Sequence, residues 1–273
     1  MSTTVITRNA TPSSAAPTTQ RRPFALVRQS AALAKRSLIK LTRTPEAFID
    51  VTLQPIIFLL LFVYIFGGAM AGNTYAYLQF LVPGILAQTV AMTITIGVNL
   101  NSDVEKGVFD RFRSLPIARS APLLGAVFAD IVRYATIAVV TLGFGYVLGF
   151  RIQTNALYAL AGCLLAIGFA LCLSWVSVYI GMKARTSGAV QGLTFLVLIP
   201  LTFASNVFVP VASLPTWLQG FVNANPLSQL VTTVRGLFLG GPVAGSLGWT
   251  LLWMTGFVVV FMPLALRAYS KKA

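Results

Sequence analysis

Six apolar segments, at residues 48–66, 77–100, 123–150, 156–182, 190–209 and 247–266, constrain this chain more than any other feature. Each reaches the roughly twenty residues that a helix rising 1.5 Å per residue needs to cross a hydrocarbon core. A spanning helix satisfies its own backbone groups, which lipid demands of every segment it surrounds. Hydrophobic residues make up 56% of the chain and charged residues 10%, whereas a soluble domain carries about 25% charged residues. The sequence therefore predicts an all-α polytopic membrane protein with six transmembrane helices. A net charge of +14 would suggest nucleic acid as the partner of a soluble chain. Here the basic residues gather at the edges of apolar segments, so the expected partner is the lipid bilayer and not nucleic acid.

Those same residues predict orientation. Arg8, Arg21, Arg22, Arg28, Lys35, Arg36, Lys40 and Arg43 precede the first span. Lys106, Arg111, Arg113 and Arg119 follow the second, Lys183 and Arg185 the fourth, and Arg267, Lys271 and Lys272 the sixth. The alternate connections hold only Arg151 and Arg235. The positive-inside rule then puts both termini in the cytoplasm. Residues 1–22, rich in Ser, Thr, Ala and Pro, read as a disordered tail. Arg21-Arg22 does not open a twin-arginine signal, because Arg28, Lys35 and Arg36 interrupt the apolar stretch such a signal needs. A mitochondrial transit peptide remains an alternative, since no acid precedes Glu46. Over 23–44, Phe24, Val27, Ala31, Ala34, Leu38 and Leu41 form one stripe away from Arg28, Lys35, Arg36 and Lys40. That pattern predicts an interfacial amphipathic helix leading into a transmembrane domain at 45–273.

The one long interior polar segment is 101–120, NSDVEKGVFDRFRSLPIARS. Ser102 and Glu105 have capping-box spacing, which predicts a helix start. Val104, Val108, Phe112 and Leu115 then share one face and Pro116 stops the helix. An amphipathic helix of about three turns results, its apolar edge and mixed charge available to a partner; a solvated loop with an incidental helix is the plain alternative. Asp130 and Arg133, three apart, can pair on one helix face. They are either an intramembrane pair, by default a functional candidate, or an interfacial one if the span begins near Tyr134. The length available before Arg151 favours the interface. Gln54-Pro55 predicts a kink or packing site in the first span. Residues 210–241, broken by Pro210, Pro215, Gly220 and Pro226, predict short helices dipping into the outer interface, with Trp217 and Tyr75 or Tyr77 at the headgroups. The chain contains no histidine, which removes Ser-His-Asp and His-metal chemistry. Cys163 and Cys172 lie roughly 13 Å apart along one helix, too far for a disulfide.

Several stretches resemble, in order, the drug-resistance (daunorubicin/doxorubicin exporter) branch of ABC-2 type ABC transporter permeases. They are Gln54-Pro55, Val82-Pro83-Gly84, GVFDRFRSLPIARSAPL from Gly107, SNVFVP from Ser205, LPTWLQ from Leu214 and Asn225-Pro226-Leu227. The resemblance implies a bacterial cell membrane, six spans, an N-terminal interfacial helix, a cytoplasmic coupling helix, and re-entrant external helices before the last span. It also implies a homodimer driven by a separate ABC ATPase subunit that binds ATP and Mg, with no cofactor on this chain. The chain has no G-x-x-x-x-G-K-[ST] phosphate loop and no converging catalytic residues, which agrees with a non-enzymatic subunit. Glu105, Gly107, Asp110, Arg111 and Phe112 match the coupling motif and are implied to contact the ATPase. The implied function is outward movement of amphiphilic drugs or related natural products by alternating access. Export of a lipid or cell-wall polymer precursor is the alternative within the family. An ATP-independent channel or ion-coupled transporter would need ionisable groups deep in several spans.

Overall fold

The computed structural model of the chain describes residues 45–71, 73–107 and 121–272. The tail, the 23–44 amphipathic helix and residues 108–120 with Asp110, Arg111 and Phe112 lie outside them. Every regular element among the described residues is helical. They are α1 (Pro45–Ala71), α2 (Thr74–Met92), α3 (Ile96–Glu105), α4 (Ala121–Leu148), α5 (Ala156–Lys183), α6 (Ser187–Phe203), a 3-10 turn (Val211–Ser213), α7 (Thr216–Ala224), α8 (Pro226–Leu239) and α9 (Ala244–Lys272). Four helix starts are set by side chains the sequence places just outside them. Asn73 Oδ1 accepts from Tyr75 N, Asn155 Oδ1 from Tyr158 N, Thr186 Oγ1 from Ala189 N and Asn225 Oδ1 from Leu227 N. Each cap satisfies an amide that has no intrahelical acceptor.

Among the described residues, five stretches are long and apolar enough to cross a membrane, and the 17-residue α6 is shorter. In the stretch from Thr74 to Glu105, 83% of the apolar window is buried, against 11% for the window of α9. The α2–α3 unit is thus the protein-enclosed centre. The other spans turn large side chains outward, among them Leu53 and Tyr64 on α1, Val147 on α4, Leu157 on α5, Leu196 on α6 and Val259 on α9, the arrangement a lipid solvent favours. The core places Leu81, Val82, Ile85 and Leu86 of α2 against Phe169 of α5 and Leu227, Leu230, Val234 and Phe238 of α8. Although short, α8 is one of the most enclosed helices, packed on α2, α5 and α9.

Three sequence expectations need correction. The second apolar segment is not one helix, because α2 ends at Met92 and α3 begins at Ile96. Thr89 and Thr93 donate their hydroxyls to the carbonyls of Ile85 and Thr89, which bends a helix by competing for the carbonyls of its own ladder. The fifth segment stays helical only to Phe203, and 204–209 is irregular. Finally, no helix starts at Ser102. Ser102 and Glu105 lie in the last turns of α3, which continues because Ile96 and Leu100 bury against Val178 and Met182. Gly107 follows the end of α3 with φ 64°, a left-handed conformation that glycine adopts without a Cβ penalty.

Candidate functional site: the loop end and the path above it

The described loop end of the bundle is locked by α3. Asn101, 1% exposed, donates through Nδ2 to the carbonyls of Gly181 (2.7 Å) and Ala184 (3.1 Å), where α5 ends. One turn on, Glu105 Oε1 accepts from Ser187 N at 3.2 Å, the first residue of α6. Residues immediately ahead of segment 108–120 therefore hold the connection between α5 and α6. Just above, α3 crosses α5 backbone to backbone. A Cβ on Gly97 would stand 2.0 Å from Ser177 O, and one on Gly181 would stand 2.4 Å from Gly97 O. Of the five coupling residues expected from the sequence, Glu105 and Gly107 are thus placed at the junction of two inter-helix connections. Glu105 is exposed.

The bond from Ser187 to Glu105 can be tested by exchange. Glu105→Ala removes an acceptor at an uncapped amide, worth about 1 kcal/mol, so amide exchange over residues 184–190 should speed about fivefold. Glu105→Gln keeps an acceptor oxygen and should stay near wild type. Equal protection in all three proteins would show that Glu105 does not hold α6.

Asp130 and Arg133 are brought together through a third residue. The Thr95 hydroxyl donates to Asp130 Oδ1 (3.2 Å) and accepts from Arg133 Nη1 (2.6 Å), and the Tyr134 hydroxyl donates to Asp130 Oδ2 (3.3 Å). Asp130 is 2% exposed and lies at the start of the apolar window Ala129–Leu148. Thr95 occupies the break between α2 and α3, so the helix interruption and the charged residues form one unit.

At the opposite end, the irregular 204–209 segment is held by side chains from α2 and α8. Asn225 Nδ2 donates to the carbonyls of Leu201 and Ala204, Asn206 Nδ2 donates to Thr232 Oγ1, and the Tyr77 hydroxyl donates to Phe208 O. Arg235 donates from Nε to Phe80 O and from Nη2 to Asn206 O, both at 3.1 Å, with its guanidinium 3.7 Å from the Phe80 ring centroid. Arg151 uses the same device, donating to the carbonyls of Tyr146 and Phe150 with Tyr146 beneath it. All the acidic residues of the chain, Glu46, Asp50, Asp103, Glu105, Asp110 and Asp130, come before residue 131. Carbonyl dipoles and ring faces stand in for the carboxylates the latter half lacks. Beside this segment is a cavity of about 240 Å³ lined by Phe62, Phe66, Tyr77, Phe203 and Phe208. The Phe62 and Phe208 rings stack at 4.2 Å between centroids.

The profile of the family described as ABC-2 type transporter matches residues 28–239, which takes in α1 to α8 and the loop end. The chain belongs to this family. Like other ABC-2 permeases, it is similar to transport proteins along most of its length. It is 40% identical to Daunorubicin resistance ABC transporter permease protein DrrB1 of Streptomyces coeruleorubidus over 87% of this chain and 84% of that one. It is 31% identical to Doxorubicin resistance ABC transporter permease protein DrrB of Mycobacterium tuberculosis over 71% and 70%. It is 24% identical to Inner membrane transport permease YadH of Escherichia coli over 82% and 91%.

Sequence reasoning placed Glu105 and Gly107 in the coupling segment but missed Thr95, Asn101, Gly97, Gly181 and Arg235. For Arg235 a signal existed. It is the one charged residue within 210–241, and a lone charge among apolar residues calls for a specific set of partners.

Proposed function

We propose that this ABC-2 permease is the membrane subunit of an exporter that moves amphiphilic drugs or related natural products outward. Two copies work by alternating access under a separate ATPase subunit that binds ATP and Mg, with both termini in the cytoplasm. The observation that carries the cargo class is the 40% identity, over 87% of the chain, to a permease named for daunorubicin resistance. The aromatic cavity at the far end supports it, since stacked Phe rings suit a planar apolar ring system. The loop end supports ATPase coupling. A push passed from residues 108–120 to α3 would reach α5 through Asn101 and α6 through Glu105.

Phe112, on the apolar stripe of the coupling segment, is proposed to fill a groove of the ATPase, with Asp110 and Arg111 on its rim. Truncating an interface aromatic costs about 2 kcal/mol or more, roughly a thirtyfold loss of association, while rim charges mainly tune approach and salt dependence. The test is co-purification with the partner ATPase and ATP-driven drug uptake into inverted vesicles, at matched expression. Phe112→Ala should lose both while still inserting in the membrane, and Asp110→Asn should be milder. Wild-type association and uptake by Phe112→Ala would remove the segment from the mechanism. Uptake of a lipid-linked precursor in place of drug would reassign the cargo.

A further inference from the structure

A second cavity, of about 370 Å³, lies beside the α2–α3 break, walled by α1, α3, α4 and α6. Its lining is amphiphilic. Val51 and Phe195 give it apolar walls, while Gln54, Asn99, Arg133 and Gln191 bring polar groups from four different helices. The volume falls in the range that receives a drug-sized ligand or one end of it, and a few convergent polar groups on an apolar wall are what fix such a ligand's orientation.

Among the described residues that line this cavity, Arg133 alone carries a formal charge. Asp130 is outside the lining and is turned into protein, where the hydroxyls of Thr95 and Tyr134 donate to its two oxygens. Arg133 commits Nη1 to Thr95, and its Nε has no partner. A guanidinium has five N–H donors and accepts none, so donors remain to it after the Thr95 bond. Asn99 Nδ2, one turn into α3, also donates to the Thr95 hydroxyl at 3.3 Å. Thr95 precedes the first turn of α3 but makes no side-chain cap there, its proton going to Asp130. The amide groups of Gln54, Asn99 and Gln191 can donate or accept, and none of them carries a negative charge. A cationic amine entering here meets Arg133 with no carboxylate among the described lining residues. A carbonyl or carboxylate oxygen meets donors.

Resting on the exporter reading above for the kind of molecule concerned, we propose that this cavity takes the acceptor-rich end of an amphiphilic aromatic cargo, a carbonyl or carboxylate, and that Arg133 makes it prefer that end over a protonated amine. The preference follows from charge-assisted hydrogen bonds to an arginine that the protein has only partly engaged.

The test uses the full-length protein in nanodiscs of uncharged phosphatidylcholine and two probes with one ring system, anthraquinone-2-carboxylate and 2-(aminomethyl)anthraquinone. Binding is read by quenching of intrinsic tryptophan fluorescence. The carboxylate should bind about tenfold more tightly than the amine, and Arg133→Gln should bring the two within about twofold. Gln191→Ala, on an exposed turn of α6, should weaken carboxylate binding without disturbing the fold, which covers the case of an Arg133 variant that does not assemble. Leu157→Ala, at an outward-facing position of α5, should change neither probe. Equal or tighter binding of the amine, or an undiminished preference in Arg133→Gln, would overturn the proposal. ATP-driven uptake with the partner ATPase separates it from the exporter reading. Carboxylate-selective binding with uptake of neither probe would sink the exporter reading and leave the cavity assignment, and uptake that favours the amine would do the reverse.

Discussion

Gly97→Ala is expected to lower the thermal unfolding midpoint of the purified permease by about 10 °C. The added Cβ would lie 2.0 Å from Ser177 O and 2.4 Å from Ser177 Oγ. Contact with a backbone oxygen cannot be relieved by a rotamer change, so α3 and α5 must move apart. Overpacking of this kind costs up to about 3 kcal/mol, and separation also strains the two bonds from Asn101 to Gly181 and Ala184, each worth about 1 kcal/mol. Gly143→Ala is the matched control. It too is helical, on α4, but a Cβ there meets nothing within 4 Å, so better helix propensity should leave it neutral or stabilised by up to about 1 kcal/mol. If both variants melt together, α3 and α5 do not cross at Gly97. Function should suffer as well, because the same crossing anchors the residues that lead into segment 108–120. Gly97→Ala protein that is still inserted should hydrolyse ATP with its partner but move little cargo.

Arg235→Gln should release the 204–209 segment. Arg235 ties that segment to α2 and α8 through two carbonyls and the Phe80 ring. Hydrogen bonds to a charged group contribute about 1.5–3 kcal/mol each, and part of that is offset by the cost of desolvating the guanidinium, leaving a net effect on the order of 2 kcal/mol. Amide exchange over 204–209 should then accelerate roughly thirtyfold, with little change at the loop end. Arg235→Lys keeps the charge but loses the planar fork that reaches two carbonyls while lying flat on a ring, so it should resemble Arg235→Gln more than the native protein. Wild-type exchange in both variants would mean that Tyr77, Asn225 and Thr232 suffice to hold the segment.

Where the spans lie was legible in the sequence because lipid makes that decision local. Each segment must meet its own backbone hydrogen bonds, so length and hydropathy alone locate α1, α4, α5 and α9 to within a few residues. The ordered stretches from Gln54-Pro55 to Asn225-Pro226-Leu227 likewise pointed to the ABC-2 family, whose profile covers 28–239. The break at Thr93–Thr95 was not legible, nor was the continuation of α3 through Ser102 and Glu105, whose spacing mimics a helix start. Whether a polar residue caps a helix or sits inside one depends on what its neighbours bury against, and Ile96 and Leu100 find Val178 and Met182 on a helix far along the chain. The same holds at the sites. A sequence shows that Arg133 and Asp130 are three residues apart, but Thr95 between them, Asn101 on α5, and Arg235 on Phe80, 155 residues away, are contacts between distant segments. The sequence by itself determined which segments are apolar enough to be candidate spans, since that property belongs to each segment separately. Only the tertiary structure decided which polar groups face one another, since a buried donor takes its acceptor from whichever helix packing brings within about 3 Å.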